Sequence, residues 1–192
     1  MGNKYVLCDP RKCTACKACM AACMVQHYVP GDVPLSRCNV VQSGDRTASI
    51  MCHHCENAPC ASSCPTQCLY IDGDRVGIRM ERCIGCRSCV LACPYGTIDV
   101  VERYDTAQIG EAWIGKTPRA AVIKCDRCYN RLEGPACIDA CTQLALVLVD
   151  EDLVETTHKR RLAQTAAEIY PHEPAAAASV PAGQDAPAAQ EA

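Results

Sequence analysis

Sixteen of the nineteen cysteines in this chain of 192 residues fall into four groups of four. The first is Cys13, Cys16, Cys19 and Cys23, in CTACKACMAAC, and the second is Cys52, Cys55, Cys60 and Cys64, in CHHCENAPCASSCP. The third is Cys83, Cys86, Cys89 and Cys93, in CIGCRSCVLACP, and the fourth is Cys125, Cys128, Cys137 and Cys141, in CDRCYNRLEGPACIDAC. Groups one and three share one spacing at a step of 70 residues. Groups two and four share a wider gap before the third cysteine and similar text after the fourth, CPTQCLYID against CTQLALVLVD. Repetition of this kind marks a duplicated unit.

Thiols in such numbers either cross-link the chain or bind soft metals. Cross-links fit poorly: the count is odd, and the opening MGNKYVLCDP has neither an apolar core nor a small-residue cleavage site to direct secretion. A zinc ion needs four thiolates converging on one point, usually from two separate C-x2-C knuckles. An iron–sulfur cubane is larger, and each of its irons takes one thiolate at a different corner. Three cysteines at x2, x2 spacing wrap one loop around three corners. The fourth lies a helical turn further on, points away, and in C-x2-C-x2-C-x3-C-P runs it ligates the neighbouring cluster. Pro65 and Pro94 end that turn in groups two and three. Groups one and four carry Met24 and Thr142 there, so the first helix is expected to continue toward Pro30. Four runs with spacings matched in pairs read as four [4Fe-4S] clusters. Ligand exchange makes the motifs work in pairs, and four groups allow three pairings. Groups two and three, with 18 residues between Cys64 and Cys83, suit a compact two-cluster unit, with groups one and four closing an outer one.

The elements that must hold these thiols are short. Strand-like stretches at 76–80, 98–101, 122–124 and 146–149 are mostly bounded by Gly, Asp or Pro, and one helical turn spans the third to fourth cysteine of each group. The fold class is therefore α+β, with duplicated ferredoxin-like two-cluster modules of short hairpins and short helices around four cubanes. The domain reading is a four-cluster unit over 1–150, divided into an inner unit 52–101 and an outer unit 1–51 plus 122–150. Residues 102–121, which hold the only Trp (Trp113), read as a surface cover loop inserted between groups three and four. Residues 151–170 read as a C-terminal helix with Lys159, Arg160 and Arg161 on a solvated face. The Ala/Pro-rich stretch 171–192 reads as a disordered tail.

Composition agrees with a core filled by something other than large side chains: there is no Phe, and aromatics make up 4%. The formal charge of -3 gives no basic footprint for nucleic acid. Four cubanes, each about -2 when oxidised with its thiolates, would make the loaded protein strongly acidic. Lys12, Lys17, Arg82, Arg87, Lys124, Arg127 and Arg131 beside the motifs partly offset that, each read as a solvated side chain. No run approaches the roughly 18 apolar residues of a membrane span. Cys8, Cys38 and Cys68 read as small buried hydrophobes. His27, His53, His54, His158 and His172 show no ligand spacing, with His53 and His54 packing against a cluster or facing solvent.

Together the four motifs resemble the four-cluster, ferredoxin-type electron-transfer subunits that accompany dimethyl sulfoxide reductase, formate dehydrogenase and formate hydrogenlyase, over about residues 3–150. The resemblance implies four ligand sets: Cys13, Cys16, Cys19 with Cys141; Cys125, Cys128, Cys137 with Cys23; Cys52, Cys55, Cys60 with Cys93; and Cys83, Cys86, Cys89 with Cys64. Within the family, the opening KYVLCDPRKCTACKACMAACMVQH and the GPACIDAC of group four look most like members serving anaerobic carbon monoxide oxidation. Those pass electrons from carbon monoxide dehydrogenase to a membrane-bound hydrogenase. The expectations that follow are a non-catalytic electron carrier with those two redox partners, in the cytoplasm or peripheral on the inner face of the cell membrane through a partner. The alternatives are a subunit of a formate dehydrogenase, hydrogenase or molybdenum oxidoreductase complex, and a scaffold whose clusters only stabilise it.

Overall fold

The structure is a computed structural model that describes residues 3–30, 33–109 and 112–169, with the backbone alone over 105–109 and 112–117. The stretch 171–192, expected to be a disordered tail, lies outside the described residues.

Among the described residues the sheets are four antiparallel two-stranded ladders. β1 (Tyr5–Cys8) pairs with β8 (Leu146–Val149), Tyr5 opposite Val149 and Cys8 opposite Leu146. This ladder ties the two ends of the cysteine-rich region together. β2 (Asn39–Ser43) pairs with β3 (Arg46–Ile50), and β4 (Leu69–Asp72) with β5 (Arg75–Ile78). Both hairpins turn through a Gly-Asp loop with the glycine left-handed, Gly44 at φ 61° and Gly73 at φ 59°. Two-residue hairpin loops demand that conformation, and glycine supplies it without a Cβ penalty. β6 (Asp99–Ile109) and β7 (Ala112–Ile123) form the fourth and longest ladder.

Of residues 102–121, expected as a cover loop, 102–109 and 112–121 are instead the outer lengths of β6 and β7, with one irregularity between Tyr104 and Thr106. The short stretches anticipated at 98–101 and 122–124 are only the roots of this hairpin. The stretch at 76–80 ends earlier than expected, because Met80–Arg82 forms a 3-10 turn. β1 and the β2–β3 hairpin had no counterpart in the sequence reading.

The four short helices each carry the third cysteine of a motif: α1 (Ala18–Gln26) holds Cys19, α2 (Pro59–Ser62) Cys60, α3 (Ser88–Ala92) Cys89 and α4 (Ala136–Asp139) Cys137. α3 stops before Cys93, because the residue preceding a proline is driven to extended backbone. α1, with Met24 in place of that proline, runs a further turn to Gln26.

Buried side chains form two groups. One packs Val6, Met51, Ala145 and Leu146 around Cys8, Cys19, Cys23, Cys38, Cys52, Cys125 and Cys137. The other packs Ala58, Leu69, Val76, Ile98, Val100 and Val122 around Cys60, Cys68 and Cys89. Sulfur thus occupies the places that aromatic rings fill in an ordinary core. The compact unit ends at Val154; beyond it α5 (Glu151–Ile169) continues as a polar helix, with a Lys159–Glu155 pair at 2.7 Å. Among the described residues, no helix is long and apolar enough to cross a membrane.

Candidate metal centres

Each motif loop bends through left-handed residues at matching places. Ala15 and Gly85 (φ 56° and 73°), Lys17 and Arg87 (both 60°), His54 and Arg127 (47° and 61°), and Gln67 and Leu144 (55° and 49°) are four such pairs. Seven of these eight are not glycine, so ordinary side chains hold a conformation they rarely adopt. The bends turn backbone amides toward sulfur. His54 N–H donates to Cys52 Sγ and Arg127 N–H to Cys125 Sγ, both at 3.4 Å, and Ala145 N–H donates to Cys141 Sγ at 3.3 Å. Arg37 N–H donates to Cys23 Sγ at 3.2 Å. Amides aimed at sulfur favour the thiolate form.

Two cavities are lined by four of the grouped thiols each. One is bordered by Cys13, Cys16, Cys19 and Cys141. The other is bordered by Cys83, Cys86, Cys89 and Cys64. In both, three cysteines come from one loop and the fourth from a distant motif. The remaining eight are close neighbours in charge without separating cleanly, since Cys125 also feels Cys52 and Cys137 also feels Cys19. Burial raises the Cys55 and Cys60 thiols, Cys60 to about 11, and Cys52 and Cys93 are the neighbouring sulfurs that add to it. Burial likewise raises Cys137, with Cys125, Cys23 and Cys128 next in effect, and Cys128 also feels Cys23.

Buried thiols with elevated pKa, such as Cys60 and Cys137, are poor thiolates unless a cation compensates them, which suits bound metal. The spacing speaks to which metal. Tetrahedral zinc at about 2.3 Å from each sulfur sets thiolates about 3.8 Å apart. Among the described residues, no three of these sulfurs lie within 4.8 Å of one another; the one trio of ligand atoms that close is His27, Asp126 and Cys128. Thiols that ring a pocket without converging on one point suit a metal–sulfide core rather than a lone ion.

The three ungrouped cysteines are buried as expected, yet each also lies against a site. Cys8 lines the first cavity and Cys68 the second; burial pushes their thiols up to about 11 and about 12. Cys38 sits between Cys19 and Cys23. Its thiol hydrogen-bonds both, which lowers Cys19 to about 6 and Cys23 to about 7 while its own proton is held tightly. No spacing rule would have placed it there.

Lys124 corrects a second expectation. It is not solvated but 0% exposed, and its Nζ donates to the carbonyl oxygens of Val76 (2.7 Å) and Cys125 (2.8 Å). His54 is also wholly buried. Its Nδ1 accepts from Val76 N–H at 3.1 Å, and burial, Lys124 and Arg127 hold it neutral with a pKa of about 2. Arg127 pairs with both oxygens of Asp74, at 2.6 and 3.0 Å. His27 approaches Cys128 Sγ at 3.5 Å and Asp126 at 3.3 Å. His53 stacks between Tyr5 and Tyr95, its ring centroid 4.7 and 3.9 Å from theirs. Only Cys16 and Cys86 of the sixteen grouped cysteines are exposed.

A protein with this fold and these thiol-lined sites is a ferredoxin-type iron–sulfur protein, and the comparisons agree. Residues 10–26 and 76–99 each match a 4Fe-4S binding domain. Electron transport protein HydN of Escherichia coli K12 is 37% identical over 168 residues, covering 83% of this chain and 96% of HydN. Hydrogenase-4 component A of the same organism is 32% identical over 181 residues, covering 83% of this chain and 88% of that protein. A Frd operon iron-sulfur protein of Proteus vulgaris is 39% identical over 132 residues, covering 69% of this chain and 84% of that protein. The chain belongs to this family of 4Fe-4S electron-transfer proteins.

Proposed function

We propose that the protein relays electrons through four [4Fe-4S] clusters held in a row. Cys13, Cys16, Cys19 and Cys141 would hold the first, and Cys125, Cys128, Cys137 and Cys23 the second. Cys52, Cys55, Cys60 and Cys93 would hold the third, and Cys83, Cys86, Cys89 and Cys64 the fourth. The observation that carries this reading is the pair of cavities in which three thiols of one loop meet the fourth of another at spacings too wide for one ion. When bound, such clusters supply one-electron redox chemistry. The chain's own part is to space them, to aim amides at their sulfurs and to keep water away. With four thiols per site, no iron is left open for substrate, which makes this an electron carrier rather than an enzyme. The exposed Cys16 and Cys86 sit at the first and fourth sites, which are then the ends of the row.

For partners, the reading is carbon monoxide dehydrogenase as donor and a membrane-bound hydrogenase as acceptor. The likeness to hydrogenase-4 component A supports the hydrogenase end. The motif text of groups one and four supports the donor.

Two measurements test this. Anaerobically purified protein should contain about sixteen iron and sixteen acid-labile sulfide, and stoichiometric zinc would sink the proposal. Reconstitution with carbon monoxide dehydrogenase and a hydrogenase should give carbon monoxide-dependent hydrogen evolution. An equal rate without this chain would remove the assigned partners but leave the cluster count standing.

A further inference from the structure

Lys124 is a charge without a fixed counter-charge. It is 0% exposed, its two partners are carbonyl oxygens, and among the described residues no carboxylate pairs with it. Removing an ammonium from water costs several kcal/mol after relaxation, and two carbonyl dipoles recover only part of that. Other charges nearby do not offset it. Arg127 is matched by Asp74, the nearby Asp126 by Arg37, and His54 is neutral. Two ligand sulfurs adjoin its partners, those of Cys125, whose carbonyl Nζ bonds, and of Cys52, which accepts from the N–H of His54, the residue that Val76 N–H bonds in turn.

Those sulfurs belong to different sites, the second and the third of the row. Cys125 lies close enough to Cys52 for their charges to interact. Lys124 therefore stands at the junction between the site of group four and the site of group two. The repeat sharpens the point. The residue before Cys125 is Lys124, and its counterpart before Cys52 is Met51, which is also buried, at 2% exposure. Apolar packing is evidently sufficient in one half of the repeat. A cation occupies the other.

We propose that Lys124 is a positioning residue that raises the reduction potentials of the two inner clusters, so that electrons entering at either exposed end fall toward the middle of the row. The assignment rests on the four-cluster reading above. Its physical basis is simple: each added electron makes a cluster more negative, a fixed cation stabilises the reduced form, and the effect is strong where water cannot screen it. The two outer sites lie against Cys8 and Cys68 rather than against a buried cation.

The test is an EPR-monitored redox titration of the anaerobically purified full chain, wild type against Lys124→Met, which copies the Met51 arrangement. Two of the four midpoint potentials should fall, each by a tenfold or larger change in the reduction equilibrium, which is about 59 mV for a one-electron couple. The other two should stay, and Lys124→Arg should keep all four near their wild-type values. Should Lys124→Met not assemble, Lys124→Gln keeps a donor for the two carbonyls without the charge and should lower the same two potentials. Four unmoved potentials, or four that shift together, would overturn the proposal. So would neutral variants that never take up iron beside an arginine variant that does, since the role would then be structural. Wild-type protein free of iron and sulfide would instead refute the cluster reading itself.

Discussion

At the scale of single residues, the exchanged fourth cysteine makes the sharpest prediction. Cys141 follows Cys137 by one helical turn, yet it lines the cavity of Cys13, Cys16 and Cys19. Cys141→Ala and Cys13→Ala should each remove one cluster, about four iron atoms, and the double variant should lose no more than either alone. Cys141→Ala with Cys137→Ala should lose two. Iron content per chain reads the difference, and additive loss for the first pair would mean that the two thiols serve separate sites. Asp74 makes a pH prediction. The Arg127 guanidinium holds its carboxyl below the usual range, so the unfolded chain binds the proton more readily than the folded one. The pair's contribution is then fully present above the unfolded carboxylate value of about 3.9 and is lost as pH falls through the folded value. Asp74→Asn should blunt that acid sensitivity. It should cost no more than about 1 kcal/mol at neutral pH, since the pair is partly exposed. Thermal bleaching of the loaded wild type and variant at neutral pH would show that cost. The motif loops were legible in the sequence because cysteine spacing is itself the signal. Cys38 and Lys124 were not, because what matters about each is a neighbour brought by tertiary packing, and a lone cysteine or lysine carries no spacing.

At the scale of elements, the same division holds. β8 was readable as a run of four apolar residues, and the helical turns were readable from the third and fourth cysteines of each motif. β1 was not, since four residues that find their partner at the far end of the domain leave no local pattern. The β2–β3 hairpin escaped although its Ser-Gly-Asp-Arg turn repeats the Asp-Gly-Asp-Arg turn of β4–β5, because its strands are largely polar and β2 is largely exposed. The β6–β7 extension was hidden by charged and small residues that resemble a loop. Its outer part lies beyond the buried Val100 and Val122. Replacing residues 105–117 by a two-residue Asn-Gly turn should therefore leave iron content unchanged, and a fall in bound iron would show that the hairpin supports a site. Gly77 is the opposite case. A Cβ there would meet the Tyr70 ring at 2.6 Å, and that ring is already covered by the Arg79 guanidinium at 4.0 Å. Gly77→Ala should destabilise the β4–β5 ladder by roughly 1–3 kcal/mol, seen as earlier thermal bleaching of the loaded protein.

At the scale of the whole molecule, exposure is distributed unevenly over the sites. Only the first and fourth present an exposed cysteine, Cys16 and Cys86. Mild oxidation in air should release iron in two phases of equal size, the faster from those two sites, whereas a single phase would mean that all four are equally accessible. The ladder that joins β1 to β8 carries a consequence of another kind. During synthesis, Cys52, Cys55, Cys60, Cys64, Cys83, Cys86, Cys89 and Cys93 all leave the ribosome before any residue of group four exists. On the proposed ligand sets, the inner pair can be completed on a growing chain, while Cys13, Cys16 and Cys19 wait, three-quarters furnished, for Cys141 to arrive with the strand that closes the domain. The first thiols made are then among the last to be sealed, and for most of translation they depend on whatever in the cell shields an unfinished site from oxygen and from the wrong metal.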